Sequence, residues 1–246
     1  MADRLAALSK VPYAHRGLHD AATPENSLAA ARAAIARGFG IECDVRKSSD
    51  GRAMVFHDAQ LDRLTGREGD MGGLPVGELT TIRLTGSEEC IPTLRDLLDL
   101  VAGQVPLLIE VKIDSGRQIN PLCRAVRRDL EGYAGPVGVM SFDPRVPAWF
   151  ALREPEIPAG LVVTEENART LMKAMALRTM AAHSPASFLA LDVRDLPSRI
   201  ARKALARGRP LFSWTVRSAE QLETALAAGA QPIMEGAGVA AWEAGH

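Results

Sequence analysis

Residues 106–131 read PLLIEVKIDSGRQINPLCRAVRRDLE: a short apolar run over 106–112 gives way to a segment of helical period over 120–131. The same alternation recurs along the chain. Apolar runs at 11–16, 39–46, 53–57, 136–141, 158–163, 187–192, 209–216 and 232–234 read as strands. Segments 27–37, 93–101, 144–153, 165–177, 197–207 and 218–228 read as helices. Gly38, Gly208 and Gly229 stand where left-handed helix caps are expected, and Ser218 precedes Gln221 at capping-box spacing. Repeated strand–helix units point to a parallel α/β fold. A length of 246 residues is close to the roughly 250 of a (β/α)8 TIM barrel, so one domain spanning 1–246 is expected. Nine strand candidates are one too many. Ser49-Asp50-Gly51 is a hairpin signal, which predicts that 53–57 runs antiparallel to its predecessor. Residues 58–92, rich in glycine and weak in hydrophobic period, read as a small insertion over the barrel mouth.

Composition narrows the function classes. Lys and Arg number 29 against 30 Asp and Glu, and 47% of the chain is hydrophobic, as in an ordinary globular protein. A net charge of −1 argues against nucleic-acid or stable membrane association, and 4% aromatic residues leave little stock for base stacking. No apolar run approaches the roughly 20 residues of a membrane span, and the charged N-terminal stretch lacks the continuous apolar segment of a signal peptide. Cys43, Cys90 and Cys123 form no pairing pattern, so a reduced, cytoplasmic setting is expected. Oligomeric state is left open.

Chemistry-bearing residues collect at strand ends. Tyr13-Ala14-His15-Arg16-Gly17 ends the first strand, and Pro24-Glu25-Asn26-Ser27 leads into the first helix; capping explains Asn26 or Ser27 but not Glu25. In 41–45 strand alternation puts Glu42 and Asp44 on one face and Ile41, Cys43 and Val45 on the other. In 106–112 Glu110 and Lys112 share a face in the same way. Glu42, Asp44 and Glu110 make an oxygen-only donor set, which suits Mg²⁺ or Ca²⁺, with Mn²⁺ as a further option, better than Zn²⁺. The competing reading is a structural Glu110–Lys112 pair. His57 ends the strand over 53–57. Two histidines beside carboxylates and cations suit metal-assisted phosphoryl chemistry, in which one histidine removes a proton and the other donates one. Trp214 either lines a pocket or fills the core.

These residues resemble the glycerophosphodiester phosphodiesterase family. The match runs in order through AHRG (14–17), PENS (24–27), ECDV (42–45), HD (57–58) with LDRLTG after it, IPTL (91–94), EVK (110–112), SFDP (141–144) and WTV (214–216). The resemblance implies a TIM barrel of the phosphatidylinositol-specific phospholipase C-like type. It further implies hydrolysis of a small glycerophosphodiester to sn-glycerol 3-phosphate and an alcohol, with one divalent cation. It makes His15 and His57 the general acid/base pair, Glu42, Asp44 and Glu110 the metal ligands, and Arg16 and Lys112 the phosphate holders. Glu25, Asn26 and Trp214 would support them. It leaves open whether water or a glycerol hydroxyl attacks phosphorus first. Two departures stand out: Glu235-Gly236 where the family often has Asp before Arg-Pro, and Arg95-Asp96 after IPTL where Glu is common. The alternatives are a lysophospholipase D type activity, a phosphate-binding barrel without turnover, and a Schiff-base enzyme using Lys112.

Overall fold

The computed structural model describes residues 2–114, 116–166, 168 and 170–245. Its nine strands are β1 Tyr13–Ala14, β2 Gly40–Lys47, β3 Ala53–Val55, β4 Leu107–Val111, β5 Val137–Ser141, β6 Ala159–Val163, β7 Phe188–Asp192, β8 Leu211–Val216 and β9 Ala230–Met234. A helix follows each, the hairpin β2–β3 counting once, which is the strand–helix alternation of a (β/α)8 barrel. Every strand falls inside or within two residues of its predicted run. Gly38, Gly208 and Gly229 have φ of 72°, 69° and 70°, as expected of left-handed caps. No helix among the described residues is long and apolar enough to cross a membrane.

The chain divides into two compact units, Met1–His15 with Val137–His246, and Arg16–Pro136. In the second, β2 pairs parallel with β4 and antiparallel with β3, so the hairpin predicted at 49–51 is present. The β2–β4 register sets Ile41 against Leu107, Cys43 against Ile109 and Val45 against Val111, which joins their apolar faces. It sets Asp44 against Glu110 on the opposite face. The insertion forms the short helices Asp62–Thr65 and Val76–Leu79 and a 3-10 turn, Met71–Gly73. Its apolar residues Leu61, Met71, Leu79, Ile82, Leu84 and Ile91 are buried with Met54 and Phe56 in a cluster of their own. Such short helices explain why the sequence shows no sustained period there.

In the first unit, parallel pairings run β1–β9–β8–β7–β6–β5. Phe188 meets Phe212, and Phe212 meets Tyr13, edge to face with centroids 5.1 and 5.6 Å apart. Two sequence expectations need correction. The helix predicted over 165–177 runs Leu171–His183, because Thr170 caps it and the Glu165 N–H is held by Asp195 Oδ2 at 2.6 Å instead of starting a helix. Asn167 and Arg169 of that stretch lie outside the described residues, as does His246. The Ser218 hydroxyl does accept from Gln221 N–H, but the Gln221 side chain accepts from Arg217 N–H, so the capping box is not reciprocal. Helices Ala2–Leu8 and Ala237–Gly245 were not foreseen, the latter because its small residues give little periodicity.

Gly160 lies opposite Phe188 in the β6–β7 register, and a Cβ there would come within 2.1 Å of the Phe188 ring. Phe188 is fully buried, so its ring can give way only by displacing its neighbours. Gly160→Ala is therefore expected to cost about 1–3 kcal/mol by overpacking, read as a lowered urea midpoint with unchanged slope. An unchanged midpoint would mean that the aromatic layer repacks freely.

Candidate active site

Strand alternation and the β2–β4 register bring three carboxylates to one place. One oxygen from each of Glu42, Asp44 and Glu110 lies within 4.8 Å of the others, and all three side chains are buried. Burial pushes the Glu42 carboxyl well above its ordinary range, and repulsion from Asp44 and Glu110 adds to this beyond what Arg16 and Lys112 offset. Burial raises Glu110 too, with Asp44 reinforcing it and Lys112 opposing it. This surplus of negative charge on oxygen donors fits a hard divalent cation. The three residues predicted as its ligands are thus brought together.

Two cations and an amide sit on the same carboxylates. Lys112 Nζ is 2.9 Å from Asp44 Oδ1 and 2.6 Å from Glu110 Oε1, and Arg16 Nε is 3.0 Å from Asp44 Oδ2. The Asn26 amide donates to Asp44 Oδ2 at 2.9 Å, and its oxygen accepts from Asp44 N–H at 3.1 Å. Arg16 N–H donates to Glu42 Oε2 at 3.1 Å. These contacts need an unusual turn: Arg16 and Asn26 have φ of 56° and 57°, and Asn26 N–H donates to Arg16 C=O. Ser27, not Asn26, caps helix Leu28–Ala36. Burial works to lower the Lys112 ammonium, but Asp44 and Glu110 outweigh it and hold it above its usual value. That is the reverse of what a Schiff-base amine requires.

Glu25, the residue that capping left unexplained, takes Arg16 at 2.7 Å and Arg63 at 2.8 Å. Arg63 reaches on to Asp58 Oδ2 at 2.6 Å, and Asp58 Oδ1 is 2.6 Å from His57 Nδ1. The His57 ring is thereby held through Nδ1, leaving Nε2 for chemistry. Burial lowers the His57 pKa, Lys112 and Arg16 lower it further, and Asp44 and Asp58 do not make up the difference. The balance favours the uncharged imidazole. Arg46 Nε donates to the His57 carbonyl at 2.6 Å and fixes the backbone at that point. In the other unit His15 is held in the same manner: Nδ1 is 2.5 Å from Glu235 Oε2, and Arg217 Nε is 2.6 Å from Glu235 Oε1.

Known proteins are similar to this sequence over most of its length. Residues 15–235 match the glycerophosphoryl diester phosphodiesterase family. The chain belongs to that family. A glycerophosphodiester phosphodiesterase from Caldanaerobacter subterraneus subsp. tengcongensis is 27% identical over 240 residues, covering 90% of this chain and 91% of its own. A phosphodiesterase from Oleispira antarctica, solved with the product sn-glycerol-3-phosphate, superposes with a TM-score of 0.82 at 23% identity, covering 98% of each chain. A glycerophosphodiester phosphodiesterase from Thermotoga maritima gives a TM-score of 0.73 at 23% identity, over 92% of this chain and 94% of that one. These likenesses show the (β/α)8 barrel fold.

Within this glycerophosphoryl diester phosphodiesterase, the second unit gathers Arg16, Glu25, Asn26, Glu42, Asp44, His57, Glu110 and Lys112. His15 and Trp214 belong to the first, His15 directly before Arg16 in the chain. Trp214 is half-buried; its Nε1 donates to Ala190 C=O at 3.1 Å, and its ring packs edge to face on the exposed Phe142. Of the two departures from the family pattern, Glu235 is the partner of His15. Asp96 completes a capping box with Thr93 at the start of helix Leu94–Val101. Sequence reading missed the roles of Asp58, Arg63, Glu235 and Arg217. Only Asp58 carried a local signal, as the neighbour of His57.

Burial would raise the Glu25 and Asp58 carboxyls, yet bonds from Arg63 help to hold both below their ordinary range. Arg63→Gln should therefore let both titrate at higher pH in carboxyl carbon NMR. The fold should survive, since Arg63 is half-exposed. Unmoved titrations would remove Arg63 from the network.

Proposed function

We propose that this protein hydrolyses small glycerophosphodiesters to sn-glycerol 3-phosphate and an alcohol, with a divalent cation and two histidines. The observation that carries this reading is the convergence of three buried carboxylates, Glu42, Asp44 and Glu110, with Arg16 and Lys112. Glu42, Asp44 and Glu110 would hold the cation, whose chemistry when bound is to stabilise negative charge building on the phosphoryl oxygens. Arg16 and Lys112 neutralise and orient the phosphodiester. His57, whose surroundings favour the uncharged imidazole, takes the proton of the attacking oxygen on Nε2. As the bond from phosphorus to the leaving alcohol breaks, His15 gives that oxygen a proton. Asp58 and Glu235 each hold Nδ1 of one ring, which leaves Nε2 as the nitrogen that exchanges a proton.

A cavity of about 360 Å³ opens beside Lys112, with Arg46, Lys47, Asp70, Asp114 and Arg117 among its lining. Its charged wall, and the burial of the insertion's apolar side chains in their own cluster, support a water-soluble substrate over a lysophospholipid. One domain over 1–246 and a cytoplasmic setting belong to the same reading, the latter supported by three free cysteines.

Glycerol 3-phosphate release from a panel of glycerophosphodiesters should vanish with EDTA and return with Mg²⁺, Ca²⁺ or Mn²⁺. Release that survives full chelation would refute the metal. His57→Ala should lower kcat by about 10²–10⁴ while calorimetry still detects cation binding. In the unaltered enzyme kcat/KM should fall toward acid as His57 gains a proton, with a midpoint below the ordinary histidine value of about 6.5. Glu235→Gln should lower kcat by roughly 10²-fold or more, the cost of a catalytic histidine that has lost its orienting charge. Full activity in that variant would show that His15 needs no partner.

A further inference from the structure

The near-zero net charge conceals one strongly basic face. Segments 171–183 and 196–210 contain Lys173, Arg178, Arg199, Arg202, Lys203, Arg207 and Arg209, and no Asp or Glu. Helices Leu171–His183 and Arg199–Leu205 pack together, and Arg178, Arg199, Lys203, Arg207 and Arg209 line a cavity of about 120 Å³ with an apolar floor that includes Ala182 and Ile200. Among the described residues none of these five meets a carboxylate at ion-pair distance. Two of them are fixed by the fold: Arg207 donates to Ala182 C=O, and Arg209 donates to Ala181 C=O and Ser184 C=O, where helix Leu171–His183 ends.

The same helix exposes bulky apolar side chains. Only Ala181 is fully buried on it, while Leu171, Met172 and Met175 are 73%, 82% and 57% exposed. Helical spacing aligns Leu171, Met175, Arg178 and Ala182 on one face, so the apolar ridge runs into the basic cavity. Solvated cations alone would need no such ridge, and a protein core would not tolerate unpaired cations beside it. An anionic phospholipid surface meets both requirements, since its phosphates take the cations and its acyl boundary takes the Leu and Met side chains.

We propose that this face docks the protein reversibly on anionic phospholipid bilayers. Within this unit the flank and the residues around His15 lie at opposite strand ends: Arg209 precedes β8, whereas Arg217 and Glu235 follow β8 and β9. Docking by this flank therefore does not engage Glu235 or Arg217, the residues of this unit that hold His15. Flotation of the full chain with vesicles of phosphatidylcholine alone, or with added phosphatidylglycerol, tests this at low and high salt. The expected result is binding to the phosphatidylglycerol vesicles only, released by salt. Arg199→Ala with Lys203→Ala should lower the partition coefficient by about tenfold or more, and Met172→Ser with Met175→Ser should lower it several-fold. Both variants should keep the melting temperature and the hydrolysis of soluble glycerophosphodiesters. Three outcomes would overturn the proposal: no binding to phosphatidylglycerol vesicles at low salt, equal binding to phosphatidylcholine, or binding of inorganic phosphate at the cavity without any vesicle binding.

Discussion

Asp44 is 1% exposed, and its carboxylate lies within 3.0 Å of Arg16, Lys112 and Asn26. An unpaired carboxylate so deep would cost several kcal/mol. Each partner arrives from a different segment: the exit of β1, the turn before helix Leu28–Ala36, and the end of β4. These three pieces of backbone must reach their places together, or the carboxylate is left uncompensated. The β2–β4 register then decides that Glu110 falls beside Asp44, and the period of two decides that Glu42 does.

The molecule uses one device twice, once in each unit. A carboxylate holds the Nδ1 side of a histidine, and an arginine holds the carboxylate: Arg63–Asp58–His57 in one unit, Arg217–Glu235–His15 in the other. Fixing Nδ1 settles which nitrogen faces outward and limits the ring to one orientation. Glu25 ties the first of these devices to the Asp44 centre, because it bonds both Arg63 and Arg16. Exposed Arg63 is thus linked through two carboxylates to Arg16 and His57.

Features with a short period were legible in the sequence. The strands, the hairpin at 49–51, the shared face of Glu42 and Asp44 and that of Glu110 and Lys112 all follow from patterns within a few residues. Glu235 could not be found in that way, since 220 positions separate it from His15 and no local pattern links them. The start of helix Leu171–His183 escaped because Asp195, far along the chain, captures the Glu165 N–H. The basic flank escaped for another reason: net charge is a sum over the chain, and acidic residues elsewhere cancel a local excess.

Arg16 and Asn26 occupy left-handed backbone that non-glycine residues enter at a cost of roughly 1–2 kcal/mol each. That cost is met when the chain folds, while core burial is there to offset it, and not when a ligand arrives. The guanidinium and the amide are therefore preorganised: little conformational entropy remains to be lost on binding. The same feature sets an evolutionary constraint at position 16. Glycine would relax the backbone but discard the charge, so the strained arginine persists only where its charge is worth more than the strain.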